Sequence, residues 1–203
     1  MNRKIKKYSN IIFDFDGTLF DTNQLHEIAF KNTLKKFGYD ENLIHYKEIA
    51  GISTLNVFKS LFNSEQAILL TKIKQKFYRE NINEAKPLLS IKKLKELNSN
   101  FNLFIVSGGS RKSIYSILKF YEIPKIFKDI ITSDENIKSK PHSDPYNLCI
   151  KRNKLDKLKC IAVEDSINGV ISASSAGIDV FGVHNIDIKK HVLKYFNTIN
   201  KIF

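Results

Sequence analysis

The chain has 203 residues, a formal net charge of +12 and 42% hydrophobic residues. This length suits one core with a small inserted domain, and the hydrophobic share predicts a packed interior. No apolar run is long enough to span a membrane, and no signal-type apolar stretch follows the basic N-terminal residues. The lysines are spread along the chain without a known nucleic-acid motif. We therefore expect a cytoplasmic protein with no membrane partner and no specific nucleic-acid partner, whose charge would suit an anionic small substrate.

The first predicted element is a buried strand that ends in two acids. Residues 11–15 are apolar apart from Asp14, which is typical of a strand covered on both faces of a parallel sheet. Asp16 follows two residues after Asp14 and precedes Gly17. Neighbouring buried carboxylates repel each other and lose hydration, so a divalent cation is the expected compensation. The alternative interpretation is a strand followed by an ordinary Asp-Gly turn.

The next block of the chain is helical. Apolar residues recur at helical spacing over residues 22–37 and again over residues 64–83, and no clear strand lies between them. Asp21 and Thr22 are candidate N-terminal caps of the first of these helices. The pattern predicts an inserted α-helical cap.

Strands and helices alternate in the rest of the chain. Four further strands are predicted, at residues 102–106, 129–132, 159–163 and 179–183. This alternation is typical of an α/β fold with a doubly wound parallel sheet. The predicted division is a core domain at residues 1–21 and 84–203, with a small helical cap domain inserted at residues 22–83.

Polar side chains follow the predicted strands, where the functional groups of such a sheet gather. They are Asp14 and Asp16, Ser107 and Gly108, Lys140, and Glu164 and Asp165. Each cluster alone has a structural alternative. The serine segment could be a turn and helix cap, the lysine a solvated loop residue, and the Glu-Asp pair a favourable helix N-terminus. Convergence of the clusters at one edge of the sheet is a prediction.

The four clusters taken together resemble a known family. The run Asp-Phe-Asp-Gly-Thr at residues 14–18 resembles the first motif of the haloacid dehalogenase superfamily of aspartate-nucleophile phosphohydrolases. Ser107 after a strand, Lys140 in Lys-Pro-x-x-Asp-Pro, and Glu164-Asp165 after a strand match its other three motifs in order. The resemblance covers nearly the whole chain and implies a Rossmann-like core.

The resemblance implies phosphoryl transfer dependent on Mg²⁺. Asp14 would attack phosphorus and form an aspartyl phosphate, and Asp16 would give a proton to the leaving oxygen and take one from the attacking water. The cation would lie between Asp14, the backbone carbonyl of Asp16, and Asp165, with Glu164 as an additional or outer-shell ligand. Dehalogenases of this superfamily lack the second acid, so the presence of Asp16 favours phosphate chemistry.

The remaining motifs would bind the phosphate and the leaving group. Ser107 and the backbone around Gly108 would hold phosphate oxygens, and Lys140 would bridge the phosphate and Asp14. His26 matches a histidine at the cap hinge of the subgroup that holds β-phosphoglucomutase, phosphoglycolate phosphatase and many sugar phosphatases. An ordinary helix histidine is the alternative. Arg111 is a further candidate to reach the substrate.

Three functions remain open from the sequence. The first is a phosphomonoester hydrolase that acts on a small phosphorylated metabolite. The second is a β-phosphoglucomutase-like phosphomutase. Against it, Thr54 stands where the mutase has an arginine that grips a second phosphate. The third is a non-catalytic basic interaction protein, which the complete set of acids disfavours.

Overall fold

The computed structural model describes residues 3–203, so Met1 and Asn2 of the predicted core segment lie outside the described residues. The strands, in chain order, are β1 (Asn10–Phe13), β2 (Phe20–Asp21), β3 (Lys86–Pro87), β4 (Asn102–Val106), β5 (Asp129–Ile131), β6 (Cys160–Glu164), β7 (Asp179–Val183) and β8 (Lys194–Phe196). Six of them form a sheet in the order β5-β4-β1-β6-β7-β8, and every neighbouring pair is parallel. The other two, β2 and β3, form an antiparallel pair.

The helices alternate with these strands after residue 90. In chain order they are α1 (Asn23–Lys36), α2 (Tyr46–Ile49), α3 (Thr54–Lys59), α4 (Ser64–Glu80), α5 (Ile91–Asn98), α6 (Arg111–Phe120), α7 (Asp144–Arg152) and α8 (Ile167–Ser175). Short 3-10 turns lie at Arg3–Lys7, Ile82–Glu84, Lys157–Lys159, Ile186–His191 and Ile199–Lys201. No helix in the described part of the chain is both long and apolar enough to cross a membrane.

The central strand β1 is buried on both faces. Ile11 and Phe13 belong to a cluster that contains side chains of α5 and α6, whereas Ile12 belongs to a cluster that contains side chains of α7 and α8. Successive strand residues point to opposite faces, so a run of apolar residues supplies both layers. The sheet therefore has helices on each side, which confirms the predicted doubly wound α/β fold.

Helices α1 to α4 pack around an apolar cluster of their own; we call them the four-helix segment. Phe30 and Leu34 of α1, Val57 and Phe58 of α3, and Leu70 of α4 are at its centre. This segment is joined to the rest of the chain through the β2–β3 pair, in which Phe20 pairs with Pro87 and Asp21 with Lys86.

The element predictions fail at three places. Strand β8 was not predicted, because its residues include half-exposed Lys194 and Tyr195 and lack a continuous apolar run. The β2–β3 pair was missed because each strand has only two residues. Thr22 stands at the N-cap position of α1 but makes no side-chain cap hydrogen bond, so the predicted capping interaction is wrong.

Candidate active site

The polar residues that follow the central strands lie close together. Asp14 follows β1, Ser107 follows β4, and Glu164 ends β6. Strands β4 and β6 are the two neighbours of β1, and all three run in parallel. Their carboxyl ends therefore share one edge of the sheet, as the motif order predicts.

Lys140 is the centre of this cluster. Its Nζ lies 2.7 Å from Oδ1 of Asp14, 2.6 Å from Oε1 of Glu164 and 2.9 Å from the carbonyl oxygen of Val106. Burial alone would lower the pKa of this ammonium, but the two carboxylates outweigh burial and raise the pKa above its usual value. All three ammonium hydrogens are thus directed at protein acceptors, and contact with a phosphate oxygen would require an exchange of one of them.

Glu164 has hydrogen-bond partners besides Lys140. The hydroxyl of fully buried Tyr146 donates to the same Oε1 atom, and the hydroxyl of Ser166 lies 3.4 Å from Oε2. A Cβ atom at Gly169 would lie 2.0 Å from Oε2, so the glycine leaves the space that this carboxylate fills. Tyr146 was not singled out from the sequence, because an aromatic residue in an amphipathic helix is an ordinary core residue.

Three carboxylates at this edge fit a divalent cation. One oxygen from each of Asp14, Glu164 and Asp165 lies within 4.8 Å of the others, and all three residues are buried. Burial and the neighbouring acids raise the pKa of Asp14, although Lys140 opposes this, and burial with repulsion from Glu164 raises the pKa of Asp165 to about 7. A cation would relieve this repulsion, and an all-oxygen donor set is the type that Mg²⁺ prefers.

Asp16 lies in a second network, built from different elements. Its Oδ1 accepts hydrogen bonds from the hydroxyls of Thr22 at 2.6 Å and Tyr78 at 3.2 Å, and lies 3.0 Å from Nε2 of His26. The Ser107 hydroxyl lies 3.3 Å from the other oxygen, Oδ2. Burial alone would raise the pKa of Asp16, but His26 and Thr22 hold it well below its usual value. The Thr22 hydroxyl therefore serves Asp16 rather than the helix end.

Lys74 completes the second network and was missed from the sequence. Its Nζ contacts Nδ1 of His26, and it lies over the rings of Phe30 at 4.5 Å and Tyr78 at 5.3 Å. Burial lowers the pKa of Lys74 to about 7 and also lowers that of His26. We assign the Nε2 hydrogen of His26 to the side of Asp16, because Nδ1 faces the lysine.

A signal for Lys74 and Tyr78 was present in the helical pattern. The buried residues of α4 are Ala67, Leu70, Lys74 and Tyr78, at successive intervals of three, four and four residues. Lysine at a core position of an amphipathic helix requires a partner, since it is rarely buried without one. The position therefore marks Lys74 as a candidate site residue.

Ser107 and Gly108 contact different parts of the structure. The Ser107 hydroxyl accepts a hydrogen bond from the Gly109 backbone at 2.9 Å and also faces Asp16. Gly108 lies against the four-helix segment, because a Cβ atom there would be 2.6 Å from the carbonyl oxygen of Gly51. Their binding of phosphate remains a prediction.

The space around Asp16 is nearly closed. Two cavities of about 10 and 20 Å³ border Asp16, His26 and Thr54. Each holds no more than about one water molecule. Thr54 thus lies beside the second acid, at the position where the mutase alternative needs an arginine.

Arg111 is bound outside this space. Its Nη2 lies 2.9 Å from the carbonyl oxygen of Ile130 and 2.9 Å from Oε1 of Glu135. Its guanidinium therefore supports the β5 edge of the sheet, and the expectation that Arg111 reaches the substrate is not supported.

The sequence, fold and site together define a class of protein. Residues 11–183 match the family model described as haloacid dehalogenase-like hydrolase. This match covers most of the chain, and the chain belongs to the haloacid dehalogenase-like hydrolase family.

Individual relatives indicate the type of enzyme within this family. The chain is 27% identical over 175 residues to pyrophosphatase PpaX of Oceanobacillus iheyensis, covering 85% of this chain and 82% of that protein. It is 24% identical over 183 residues to fructose-1-phosphate phosphatase YqaB of Escherichia coli, covering 88% and 97% respectively. The crystal structure of β-phosphoglucomutase from Clostridium difficile superimposes with a TM-score of 0.84 at 23% identity, covering 97% of this chain and 93% of that chain, which shows the shared fold. These findings confirm the predicted family and the predicted enzyme class, a phosphatase of this family.

Proposed function

We propose that the protein is a Mg²⁺-dependent phosphomonoester hydrolase that acts through an aspartyl phosphate on Asp14. The observation that carries the proposal is the pairing of two buried acids with different surroundings at one sheet edge. Asp14 contacts Lys140 and lies near Asp165, whereas Asp16 faces His26, Thr22 and Tyr78. Two acids with different hydrogen-bond partners at one sheet edge are suited to different roles in one reaction.

Asp14 is the proposed nucleophile. Its carboxylate oxygen would form a bond to phosphorus while the bond from phosphorus to the leaving oxygen breaks. The adjacent Lys140 balances the negative charge of the carboxylate, so that attack on a phosphate anion is less opposed. A cation held by Asp14 and Asp165, near Glu164, would supply further positive charge to the phosphate oxygens.

Asp16 is the proposed general acid and base. Its hydrogen bonds from Thr22 and Tyr78 and its contact with His26 favour the carboxylate, which suits removal of a proton from the attacking water. His26 and Tyr78 belong to the four-helix segment. Displacement of that segment during substrate entry would remove these contacts and raise the pKa of Asp16, so that its carboxyl group can take up the proton that it gives to the leaving oxygen after closure.

The four-helix segment is proposed to act as the cap domain over residues 22–83. Support comes from its separate apolar cluster and from the closed space around Asp16. The two cavities that border Asp16 admit no metabolite, so the segment has to move for substrate to reach this acid. The names of the relatives point to pyrophosphate, fructose 1-phosphate or another small phosphorylated metabolite as substrate.

The test is release of inorganic phosphate from a panel of small phosphorylated compounds, with and without Mg²⁺. The panel contains pyrophosphate, fructose 1-phosphate, phosphoglycolate, hexose 6-phosphates and nucleoside monophosphates. Release that requires Mg²⁺ and falls about 10⁴-fold in Asp14→Asn, but is retained in the exposed control Asp40→Asn, is the expected result. Equal activity of Asp14→Asn and the wild type would contradict the proposal.

The mutase alternative has its own arm in the same experiment. β-Glucose 1-phosphate is incubated with a sugar bisphosphate, and formation of glucose 6-phosphate is followed beside phosphate release. We expect release without isomerisation, because Thr54 offers no positive charge for a second phosphate group. Isomerisation without net release would favour the mutase, and silence of folded protein in both arms would favour the interaction protein.

A further inference from the structure

One loop of the four-helix segment touches the core at three separate points; we call residues 48–56 the docking loop. It includes the end of α2, Gly51 and the start of α3. Residues Gly51, Ile52 and Thr54 border the cavity that also contains Asp14 and Asp16. The contacts of this loop with the core therefore contribute to closing the space above the two acids.

The first contact is made by Asn168, in the first turn of α8. Its side-chain Nδ2 donates to the carbonyl oxygens of Ala50 at 2.9 Å and Glu48 at 3.4 Å. One amide group thereby satisfies two backbone acceptors of the docking loop. A carbonyl group left without a donor in a closed interface is costly, so this contact favours the closed arrangement.

The second contact depends on the absence of a side chain. A Cβ atom at Gly108 would lie 2.6 Å from the carbonyl oxygen of Gly51 and 3.1 Å from its carbonyl carbon. The obstructing atoms are backbone, so they cannot turn away as the end of a flexible side chain would. Gly108 does not have a left-handed backbone conformation. Glycine is thus required at this position because the backbone of the docking loop approaches it closely.

The third contact lies at the other end of the docking loop. The Nδ2 atom of Asn56 is 2.8 Å from the hydroxyl oxygen of Ser139, which immediately precedes Lys140. Three core segments that carry the family motifs, around Gly108, Ser139 and Asn168, therefore each hold one part of the same loop.

We propose that Asn168 and Gly108 are positioning residues that hold the docking loop closed over the two acids. Neither residue contributes a reacting group in this role. The amide of Asn168 attaches the loop, and the bare backbone at Gly108 lets it approach. The closed state required for turnover is then stabilised from the core side, by contacts that exist only after the loop has docked. The effect of these two residues on turnover rests on the proposed function, whereas their effect on hydrogen exchange of the docking loop does not.

The test is hydrogen–deuterium exchange of the whole chain in wild type, Asn168→Ala and Gly108→Ala. Loss of the amide donor should raise exchange at residues 48–57 about fivefold, since one hydrogen bond changes the closed-to-open ratio by roughly this factor. The methyl group introduced by Gly108→Ala should raise exchange at residues 48–57 about tenfold or more, because this group would clash with backbone atoms of the docking loop. Exchange in β1, β4 and β6 should stay unchanged in both variants.

Asn153→Ala is the matched control. The side chain of Asn153 donates to Asp129 and to the Cys149 carbonyl, both at 2.9 Å, so it is an asparagine bonded within the core alone. Its loss should leave exchange at residues 48–57 at the wild-type value. Unchanged docking-loop exchange in Asn168→Ala, or an equal rise throughout the sheet, would overturn the proposal.

A kinetic measurement separates positioning from a general loss of stability. With the substrate found in the phosphate-release panel, Asn168→Ala should raise KM about fivefold and change kcat much less, because bound substrate still favours closure. Asn168→Asp keeps the size of the side chain and suits a helix N-terminus but cannot donate, so it should show the same loss of docking-loop protection. Protection equal to wild type in Asn168→Asp would contradict the role of the donor. If no substrate is hydrolysed, the exchange measurements still test the proposal on their own.

Discussion

Lys140 and Lys74 are two buried lysines of one site, and their surroundings shift their pKa values in opposite directions. Lys140 contacts two carboxylates, Asp14 and Glu164, which raise its pKa despite burial. Lys74 contacts the imidazole of His26 and lies over two aromatic rings, and burial lowers its pKa to about 7. Burial alone therefore does not determine the charge of a lysine, because carboxylates in direct contact can outweigh it.

The two lysines also belong to different parts of the fold. Lys140 and its carboxylate partners all come from the segments that surround the parallel sheet, so this half of the site needs no movement to form. Lys74 and His26 come from α4 and α1, whereas Asp16 follows β1. The second half of the site is complete only when the four-helix segment contacts the core. The comparison predicts that loss of Lys140 lowers the free energy of unfolding, whereas loss of Lys74 raises it at pH 7 and changes its dependence on pH.

The largest effect is expected for Lys140→Met. Removal of the ammonium leaves Asp14 and Glu164 as adjacent buried carboxylates, so the free energy of unfolding at pH 7 should fall by about 3–5 kcal/mol. The loss should shrink at acidic pH, because burial raises the pKa of Asp14 and a proton on this acid removes the repulsion. Urea unfolding at pH 5 and pH 7 measures both quantities.

A second variant checks the cause of that loss. Glu164→Gln in the Lys140→Met background removes one of the two charges and should recover part of the stability. An unchanged free energy of unfolding in Lys140→Met would contradict the strong pairing on which the comparison depends.

An effect of opposite sign is expected for Lys74→Met. The folded pKa of about 7 lies below the usual 10.5, so the unfolded chain binds the proton more readily between these values. Wild-type stability is therefore lowered fully below about pH 7 and not at all above about pH 10.5. Lys74→Met should be more stable than wild type by about 2–4 kcal/mol at pH 7, and this difference should shrink as the pH rises toward 10.5.

The surroundings of Lys74 define the control for this measurement. Asp16, His26 and Tyr78 are the titratable groups that face it, and all remain in the variant. Exposed Lys76→Met on the same helix should not show the pH-dependent difference. A stability difference that is the same at pH 7 and pH 10.5 would contradict the low pKa of Lys74.

The smallest effect is expected for Tyr146→Phe. The change removes the hydroxyl that donates to Glu164 and keeps the buried ring, so the free energy of unfolding should fall by about 1–2 kcal/mol. Tyr8→Phe is the matched control, because the hydroxyl of this buried tyrosine donates to Asp179 at 2.6 Å, away from the site. A similar stability loss in both variants combined with loss of phosphate release in Tyr146→Phe alone would identify the Glu164 contact as functionally important.

The sequence predicted the core half of the site much better than the helical half. Asp14, Lys140, Glu164 and Asp165 each follow an apolar strand or stand in a recognisable motif, and parallel pairing of the strands brings them together. The strands themselves were predictable because apolar runs covered on both faces leave few alternatives.

The helical half depends on packing between helices, which the local pattern specifies only in part. Lys74 was not singled out from the sequence, although it stands at a core position of α4, because its partners come from the contact of α4 with α1. Thr22 was assigned to a helix cap, because the pattern at the start of α1 does not reveal that Asp16 lies within reach of its hydroxyl. Contacts between distant elements determine the partners of both residues, and the spacing of residues along the chain does not reveal those partners.

The most direct measurement of the central claim is a chemical trap for the aspartyl phosphate. The enzyme is mixed with Mg²⁺ and its best substrate, quenched in acid during turnover, and reduced with borohydride, which converts an acyl phosphate of aspartate to homoserine. Mass spectrometry of the peptide that spans Asp14 and Asp16 then locates the change. We expect homoserine at position 14, dependent on substrate and Mg²⁺. Homoserine at position 16, or none in protein that releases phosphate under the same quench, would contradict it.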